Sequence, residues 1–447
     1  MQRLSSYVAT APNRPLPVEV EEKAKHLVLD TLACMVSGSL LGPGQMAISY
    51  IRNIRGSAKE ACIAGTDLLV SAVDAALANG MLAHADETDD SHAGSFTHPA
   101  CSVVPAALSM SERGACSGRK MLRAVALGYD VCCRSSYVLN ATEFWEAGRS
   151  THGFGGTFGA AATAGMLAGL NATQIRYLFS YAAQQASGVS CLVRDSEHIE
   201  KAFDLGGMPA RNGVTAALMV ANGFTGVEDV FSGERNFFFA YAPNPQPREM
   251  VRYLGRRYEI MNTNIKKWSV GSSIQAPLDS LLELIRTEGI KDKDIERLVI
   301  RVGERGAKIA NNRAMPAINM QHLIAVMLRD GTLTFATAHN SARMKDPEIL
   351  AIKKRIELVP SPELNDVRPR RQGIVEIIMR NGRMLSHRTY AVKGTADNPM
   401  TSTEVEEKAM DLLAPVLGKR RARVLINTVW KLERVKDMRI LRRLLMK

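Results

Sequence analysis

Metal-binding cysteine patterns are missing from this sequence. Its seven cysteines form no C-x-x-C pair, and none stands at a spacing to histidine that suits zinc or an iron–sulfur cluster. Cys132 and Cys133 lie in an apolar stretch, which favours buried structural thiols. The sequence therefore indicates a reducing compartment and argues against the hydroxy-acid dehydratases that depend on such a cluster.

Long apolar runs are also missing. No segment approaches the roughly 20 apolar residues that cross a bilayer, and the opening stretch MQRLSSYVATAPNRP lacks the apolar core of an export signal. The composition, 46% hydrophobic and 23% charged, is typical of folded globular proteins, and a length of 447 residues predicts two lobes. We therefore expect a soluble, cytoplasmic protein with no membrane partner.

Acidic residues are too few to balance the basic ones, and the formal net charge is +12. Such a surplus attracts phosphate and raises the hypothesis of nucleic-acid binding. No nucleic-acid-binding module accompanies it, and the amphipathic spacing of the basic residues favours a solvated helix face. The sequence therefore predicts no nucleic-acid partner. Much of the surplus lies at Arg368, Arg370, Arg371, Lys419, Arg420, Arg421, Arg423, Arg439, Arg442 and Arg443.

Phosphate-binding loops are absent as well. Gly153, Gly155, Gly156 and Gly159 miss the G-x-G-x-x-G spacing and follow no predicted strand, and no P-loop pattern occurs. Two interpretations of these glycines remain. They allow close helix packing, or their backbone amides hold a carboxylate at the start of a helix from Thr157.

Helical periodicity dominates residues 18–250, where apolar residues recur at three- and four-residue steps and small residues allow close packing. Further along, Arg297–Val302 alternates like a strand, and Asn381-Gly382 separates two alternating runs as in a hairpin. A possible capping box, Thr403 with Glu406, then opens a return to helical spacing. The predicted fold class is mainly α with an α+β second domain: a large all-helical domain of residues 1–262 completed by 402–447, and a smaller α/β domain of residues 263–401.

The densest group of polar residues runs from His84 to His98 and contains four carboxylates and three histidines. Such a group is costly to bury, and crowding moves the pKa values of neighbouring groups apart, as paired acid and base roles require. An exposed acidic loop, or a network that caps the helix beginning near Pro99, is the alternative. A divalent-metal site is a third interpretation, although the D-x-D-x-D-G register of a calcium loop is missing.

This segment resembles the signature of the MmgE/PrpD family, which reads H-x-x-[DE]-x-D-D-[ST]-H followed by H-P. Further likenesses occur in the same order over nearly the whole chain. They are Gly156–Gly159, Ala183–Gly188, Lys201–Gly213, Gly223–Gly226, Lys266–Trp268, Gln321-His322 before Asp330-Gly331, and Val429–Glu433. The family includes dehydratases, decarboxylases and epimerases of small polycarboxylates.

The resemblance implies a helical lobe made from both chain ends, a smaller α/β lid domain, a homodimer, and an active site between the lobes. It also implies catalysis with no metal and no organic cofactor, in agreement with the missing cysteine patterns. The expected partner is a small polycarboxylate substrate.

A proton beside a carboxylate is weakly acidic, so a base must lie within hydrogen-bond reach of it and positive charge must stabilise the product of its removal. His98, which matches the histidine of the family's H-P pair, is the predicted acid/base. Glu87 or Asp89 could orient His98 or carry the second proton. Ser91 or Thr97 could donate a hydrogen bond to a substrate oxygen.

Further site residues are predicted outside this segment. His152 resembles a family histidine, at a spacing about two residues shorter, and His322 is the predicted opposing acid. Charge-assisted pairs with cations are the strong way to hold a di- or tricarboxylate. The resemblance assigns this role to Lys201 and Lys266, and Arg211 is a further candidate.

Two positions depart from the relatives. No histidine occurs within the few residues after Lys266, where the decarboxylases and methylcitrate dehydratases tend to carry one, and His322 stands in place of a tyrosine of the decarboxylases. The leading hypothesis is a lyase that removes water from a small hydroxy-polycarboxylate such as 2-methylcitrate. The alternatives are an isomerase or epimerase, a decarboxylase of a di- or tricarboxylate, and an inactive family member that kept the fold.

Overall fold

α-Helices carry most of the chain in the computed structural model, which describes residues 1–447. The helices are α1 (Gln2–Thr10), α2 (Val18–Gly38), α3 (Gly42–Ile54), α4 (Ala72–Ala83), α5 (Ala100–Arg113), α6 (Gly118–Val138), α7 (Ala141–Glu146), α8 (Thr151–Leu167), α9 (Ala172–Gln185), α10 (Ile199–Ala202), α11 (Met208–Ala221), α12 (Phe237–Tyr241), α13 (Gln275–Glu288), α14 (Glu304–Ala310), α15 (Met320–Asp330), α16 (Phe335–Ala338), α17 (Pro347–Lys353), α18 (Ser402–Leu417), α19 (Lys419–Trp430) and α20 (Arg442–Leu445). The strands are β1 (Ala61–Cys62), β2 (Leu69–Val70), β3 (Ile295–Val302), β4 (Ile356–Pro360), β5 (Gly373–Met379) and β6 (Met384–Thr389). This composition confirms the predicted fold class, mainly α with a smaller α/β part.

The chain forms two compact units. The first consists of residues 1–263 and 405–447, and the second of residues 264–404. The first unit is therefore built from two stretches that are distant in the sequence, while the second is continuous. The first unit holds helices α1 to α12, most of α18, and α19 and α20.

Among the helices, none alone has both the length and the apolar composition that a bilayer crossing requires. Helices α2 and α3 have this length and composition only as a pair, and the chain bends by 78° between them.

Small residues let the central helices of the first unit approach closely, and α4, α5, α6, α8 and α11 pack against one another. A Cβ atom on Gly80 of α4 would lie 2.5 Å from the carbonyl oxygen of Gly206. A Cβ atom on Gly213 of α11 would lie 2.4 Å from the backbone nitrogen of Ala161. Because backbone atoms cannot move aside easily, only glycine fits at these two contacts.

Helix α8 begins earlier than the sequence predicts. Its first residue is Thr151 rather than Thr157, so the four glycines lie inside the helix and not before it. A Cβ atom on Gly155 would lie 2.9 Å from the carbonyl oxygen of Cys132 in α6, and one on Gly159 would lie 2.6 Å from the Cys132 Cβ atom. The interpretation of these glycines as close packing is confirmed, and the interpretation as an amide cradle at Thr157 is wrong.

The second unit contains a four-stranded sheet in the order β4-β3-β5-β6. Strand β3 runs parallel to β4 and antiparallel to β5, which is antiparallel to β6. Leu298, Ile300 and Val302 of β3 are buried in a core that α13 and α15 complete. Strands β5 and β6 form the predicted hairpin, and Gly382 in its turn has a φ of 85°, which glycine adopts without strain.

The capping box beside α18 lies two residues before the predicted one. Glu404 accepts hydrogen bonds from the backbone nitrogen of Thr401 at 2.7 Å and from its hydroxyl at 2.9 Å, and the Glu404 nitrogen donates to that hydroxyl at 3.3 Å. Glu406 instead accepts from the indole nitrogen of Trp430 at 2.7 Å. The pairing of Thr403 with Glu406 is therefore wrong, because Glu406 has another partner.

Candidate active site

Asp89 lies at the centre of the polar segment that joins α4 to α5. One of its oxygens, Oδ1, accepts hydrogen bonds from Nδ1 of His84 at 2.9 Å and from Nδ1 of His98 at 3.2 Å. Asp89 and His84 are fully buried, whereas 14% of the His98 side chain is exposed. Because Nδ1 of each ring donates to the carboxylate, Nε2 is left as the atom that can accept a proton.

The charge of Asp89 is stabilised by these two rings. Burial alone would raise the pKa of Asp89, but the charges of His84 and His98 and their hydrogen bonds outweigh it and hold the pKa well below its usual range. Asp89 is therefore an ionised carboxylate that can orient His98 and stabilise its protonated form. This is the role of the carboxylate in a carboxylate–histidine acid/base pair.

Four imidazoles form a continuous group around this carboxylate. The ring centroids of His84 and His98 are 5.1 Å apart, those of His84 and His198 are 5.1 Å apart, and those of His98 and His152 are 5.3 Å apart. The rings come from three segments: the polar segment, the first turn of α8, and the residue before α10. The fold of the first unit therefore brings together histidines that are more than a hundred residues apart in the sequence.

The outer two histidines are held neutral. Burial, followed by the charges of His98, His84 and Lys201, lowers the pKa of His152 well below its usual value. Burial, followed by the charges of Lys201 and His84, lowers the pKa of His198 to about 3. Both rings are therefore neutral near pH 7, and each offers one nitrogen that donates and one that accepts.

A cation completes the group. The Nζ atom of Lys201 in α10 forms a close ion pair with Oε1 of Glu87, and the Lys201 side chain is 24% exposed while that of Glu87 is 10% exposed. An oxygen of its partner Glu87 lies within 4.8 Å of ring nitrogens of His84 and His198, so the ammonium lies beside these imidazoles. A partly exposed ammonium next to proton-carrying groups is suited to bind an anionic substrate.

The backbone of the polar segment is tied from several directions. Nζ of Lys408, in α18, donates to the carbonyl oxygen of Thr88 at 3.0 Å. Asp90 accepts from the hydroxyl of Tyr129 at 2.7 Å and from the backbone nitrogen of Ala100, the first residue of α5, at 3.2 Å. These contacts fix the residues on both sides of Asp89, so its position does not depend on a mobile loop.

The start of α8, which carries His152, is also tied down. The hydroxyl of Ser150 accepts from the backbone nitrogen of Gly153 at 3.3 Å and donates to the buried carboxylate of Asp204. Asp204 lies in the π-helical turn Phe203–Gly207 that joins α10 to α11. The turn thus connects the segment that carries Lys201 with the one that carries His152.

Thr97 and Ser91 are buried in the same segment. The Thr97 hydroxyl lies 2.6 Å from the hydroxyl of Ser95, which in turn lies 2.8 Å from Nδ1 of His92. His92 reaches Glu259 through Nε2 at 3.6 Å. The hydroxyl of Thr97 therefore belongs to a second buried network, beside the one around Asp89.

The remaining predicted residues are Arg211 in the first unit and Lys266 and His322 in the second. Arg211 in α11 donates to Oδ1 of the neighbouring Asn212 at 3.1 and 3.0 Å, and its guanidinium lies 5.8 Å from the centre of the Phe203 ring. Lys266 and His322 belong to the second unit, where both are buried.

His322 has a defined environment of its own. It lies in the first turn of α15, where its backbone nitrogen donates to Oδ1 of Asn319 at 3.0 Å. Burial, together with the positive charges of Lys353 and Arg343, lowers the pKa of His322 to about 4. Its ring is therefore neutral near pH 7.

His198 lies outside every segment predicted for the site, whereas His84 lies in the predicted polar segment without an assigned role. His198 precedes Lys201 by three residues and adopts a left-handed backbone with a φ of 64° before α10. Left-handed residues other than glycine are uncommon and cluster at functional sites. The spacing of one helical turn to a predicted site lysine was the available signal.

Comparisons with known proteins agree on one family. The MmgE/PrpD N-terminal domain matches residues 2–250, and the MmgE/PrpD C-terminal domain matches residues 268–434. A cis-aconitate decarboxylase-like protein from Aspergillus oryzae is 23% identical over 97% of this chain and 95% of its own length. Cis-aconitate decarboxylase from Homo sapiens is 22% identical over 95% of this chain and 90% of its own length. Cis-aconitate decarboxylase from Aspergillus terreus is 22% identical over 95% of this chain and 91% of its own length. The two domain matches together cover most of the sequence, and the chain therefore belongs to the MmgE/PrpD family.

Proposed function

We propose that this protein is a lyase that removes water from a small hydroxy-polycarboxylate similar to 2-methylcitrate, by proton transfer at a carbon next to a carboxylate. The observation that carries the proposal is the group of His98, Asp89 and Lys201 within one unit, a base oriented by a carboxylate beside an anion-binding cation. Family membership and relatives named as decarboxylases support a lyase.

In the proposed reaction His98 removes the proton. Its Nδ1 donates to Asp89, so Nε2 accepts the proton from the carbon next to the substrate carboxylate. The electron pair of the broken C–H bond then forms the carbon–carbon double bond as the hydroxyl leaves. Asp89, already ionised, stabilises the imidazolium that results.

Lys201 and Glu87 perform the second half of the reaction. The Lys201 ammonium binds a substrate carboxylate and stabilises the negative charge that develops on it as the proton departs. The leaving hydroxyl needs a proton to become water, and the Lys201 ammonium, held in place by Glu87, donates it and is left as a neutral amine. Lys201 then regains a proton, and His98 releases the one that it took, before the next turnover. Neutral His152, beside His98, donates a hydrogen bond that keeps the substrate oxygen in place. The resemblance implies that these side chains act with no metal and no organic cofactor.

The proposal is tested with a panel of citrate, 2-methylcitrate, isocitrate and cis-aconitate in deuterated buffer. We expect near-ultraviolet absorbance of a new conjugated double bond from a hydroxy acid, and deuterium in the remaining substrate. His98→Asn should abolish both signals. His26→Asn is the matched control, because His26 is a half-buried histidine of the same unit that packs against Trp430 at 5.1 Å. If no substrate gives absorbance or deuterium incorporation, the proposal is wrong.

Decarboxylation is the second candidate, and the names of the relatives favour it. The same proton-carrying group could protonate the carbon from which CO2 departs. Release of CO2 from cis-aconitate without water loss from any hydroxy acid would select this reaction. Deuterium exchange with loss of neither water nor CO2 would select an isomerase or epimerase.

The resemblance also leads us to propose a homodimer. Light scattering on the purified protein should then give twice the 48.8 kDa of one chain. A mass equal to one chain would contradict this proposal and leave the proposed reaction untouched.

A further inference from the structure

Three side chains, one of them Glu87 of the proposed catalytic group, have the arrangement of a metal site. His84, Glu87 and His198 are buried, and each offers one ligand atom such that all three atoms lie within 4.8 Å of one another. Zinc holds such ligands at about 2.0–2.2 Å, which places them about 3.3 Å apart in a tetrahedral site. Side-chain movements of about 1 Å or less would therefore bring the three atoms onto one ion.

Two of these side chains have a ring nitrogen with no hydrogen-bond partner. Nε2 of His84, whose residue is 0% exposed, and Nε2 of His198, 4% exposed, are both buried and unpaired. A buried polar atom without a partner lowers the stability of the fold by about 1–3 kcal/mol. Two such atoms so close together therefore require an explanation. A bound cation would satisfy both nitrogens at once.

His84 is also prepared for metal binding by Asp89. Its Nδ1 donates to the Asp89 carboxylate, which fixes the tautomer that leaves the lone pair on Nε2. Histidines that bind metals almost always make such a bond through the other nitrogen. The alternative set of His84, Asp89 and His98 is less suited, because Asp89 would have to bind the ion while it already accepts hydrogen bonds from both rings.

The ligand types select the class of metal. Two imidazoles and one carboxylate suit zinc and other divalent transition metals, whereas magnesium and calcium prefer oxygen ligands alone. Lys201 opposes binding, because its ammonium forms a close ion pair with Glu87. A metal ion must displace this ammonium before it can take the Glu87 oxygen.

We propose that His84, Glu87 and His198 form a binding site for a divalent transition metal such as Zn²⁺, and that the metal competes with Lys201 for Glu87. Occupancy withdraws Glu87 from its pair with Lys201 and places a second cation beside His98. Metal binding therefore inhibits the enzyme; this consequence, unlike the binding itself, rests on the proposed function.

The binding test uses the full chain, freed of metal by a chelator, and titrates it with Zn²⁺ by calorimetry and with Co²⁺ by visible absorption. We expect one site per chain with the absorption of four-coordinate cobalt. His198→Asn and Glu87→Gln should each weaken binding at least about tenfold. Lys201→Met should tighten it, because the competing ammonium is gone. His387→Asn is the matched control, since His387 has a buried, unpaired Nδ1 in β6 of the second unit.

The outcomes separate the two claims. Zinc affinity that is unchanged in His198→Asn and Glu87→Gln, or equal to the parent in Lys201→Met, would overturn the proposed site. Glu87→Gln carries the test if His198→Asn does not fold, and circular dichroism identifies that case. These titrations need no substrate, so failure of the proposed reaction would leave them valid. Zinc binding at this site without inhibition of an active enzyme would overturn the inhibitory role alone.

Discussion

Lys408 provides the sharpest test of how the polar segment is held. This lysine of α18 is 7% exposed, and its Nζ donates to Oδ1 of Asp30 at 2.6 Å and to the carbonyl oxygen of Thr88 at 3.0 Å. Burial lowers the pKa of Lys408, but the charge of Asp30 outweighs this effect and the pKa is raised. The lysine is therefore charged, and it joins the end of the chain to the site segment.

Replacement by methionine keeps the length of the side chain and removes its charge. Lys408→Met leaves the Asp30 carboxylate buried without its cation, a change that typically costs about 3–5 kcal/mol. The carbonyl of Thr88 also loses its donor, which adds about 1 kcal/mol. We therefore expect the free energy of unfolding of the first unit to fall by about 4–6 kcal/mol.

The assay is urea unfolding at neutral pH, followed by circular dichroism and tryptophan fluorescence. Lys419→Met is the matched control, because Lys419 is an exposed lysine at the start of α19 and should change stability by less than about 0.5 kcal/mol. The double variant Asp30→Asn with Lys408→Met removes the uncompensated charge and should recover part of the loss. A cost for Lys408→Met within about 1 kcal/mol of the Lys419→Met value would refute the reasoning.

Three further predictions concern pH and packing. Burial raises the pKa of Asp204 from 3.8 to about 7, so the folded state loses stability as the pH rises through that window. Asp204→Asn keeps an acceptor for Ser150 but does not titrate. Its free energy of unfolding in urea, relative to that of the parent, should therefore rise by ~2–3 kcal/mol between about pH 5 and about pH 8. A variant–parent difference that is the same at both pH values would contradict this. Gly80→Ala places a methyl group 2.5 Å from the Gly206 carbonyl oxygen and should lower stability by ~1–3 kcal/mol, read from the melting temperature. Gly382→Ala, with a φ of 85° and open space around it, should cost only ~1–2 kcal/mol of backbone strain in the same assay.

Local patterns predicted the fold class because the periodicity of each element agrees with its burial. Residues 297–302 alternate in the sequence and form most of β3, and Asn381-Gly382 forms the turn between β5 and β6. The start of α8 was not predicted, because glycines at 153–156 favour a loop when they are read alone. Close packing of Gly155 against α6 and of Gly153 against the carbonyl oxygen of Ser187 requires small residues there and overrides their low helix propensity.

Part of the site was also predicted, because several of its residues are close in the sequence. His98, Asp89 and Glu87 share one segment, so their proximity follows from the sequence, and the family resemblance brought in Lys201 and His152. His198 was missed because its ring reaches His84 only through the fold, at 5.1 Å between centroids. The spacing of one helical turn to Lys201 places His198 near the site, but it does not encode the contact with His84.

The most direct test of the central claim is the rate at which His98→Asn exchanges the proton next to the substrate carboxylate with deuterated water, measured by nuclear magnetic resonance. We predict a rate about 10²–10⁴-fold below that of the parent, as expected when a positioned general base is removed, with the melting temperature and substrate binding retained. An exchange rate equal to that of the parent would contradict the assignment of His98 as the base.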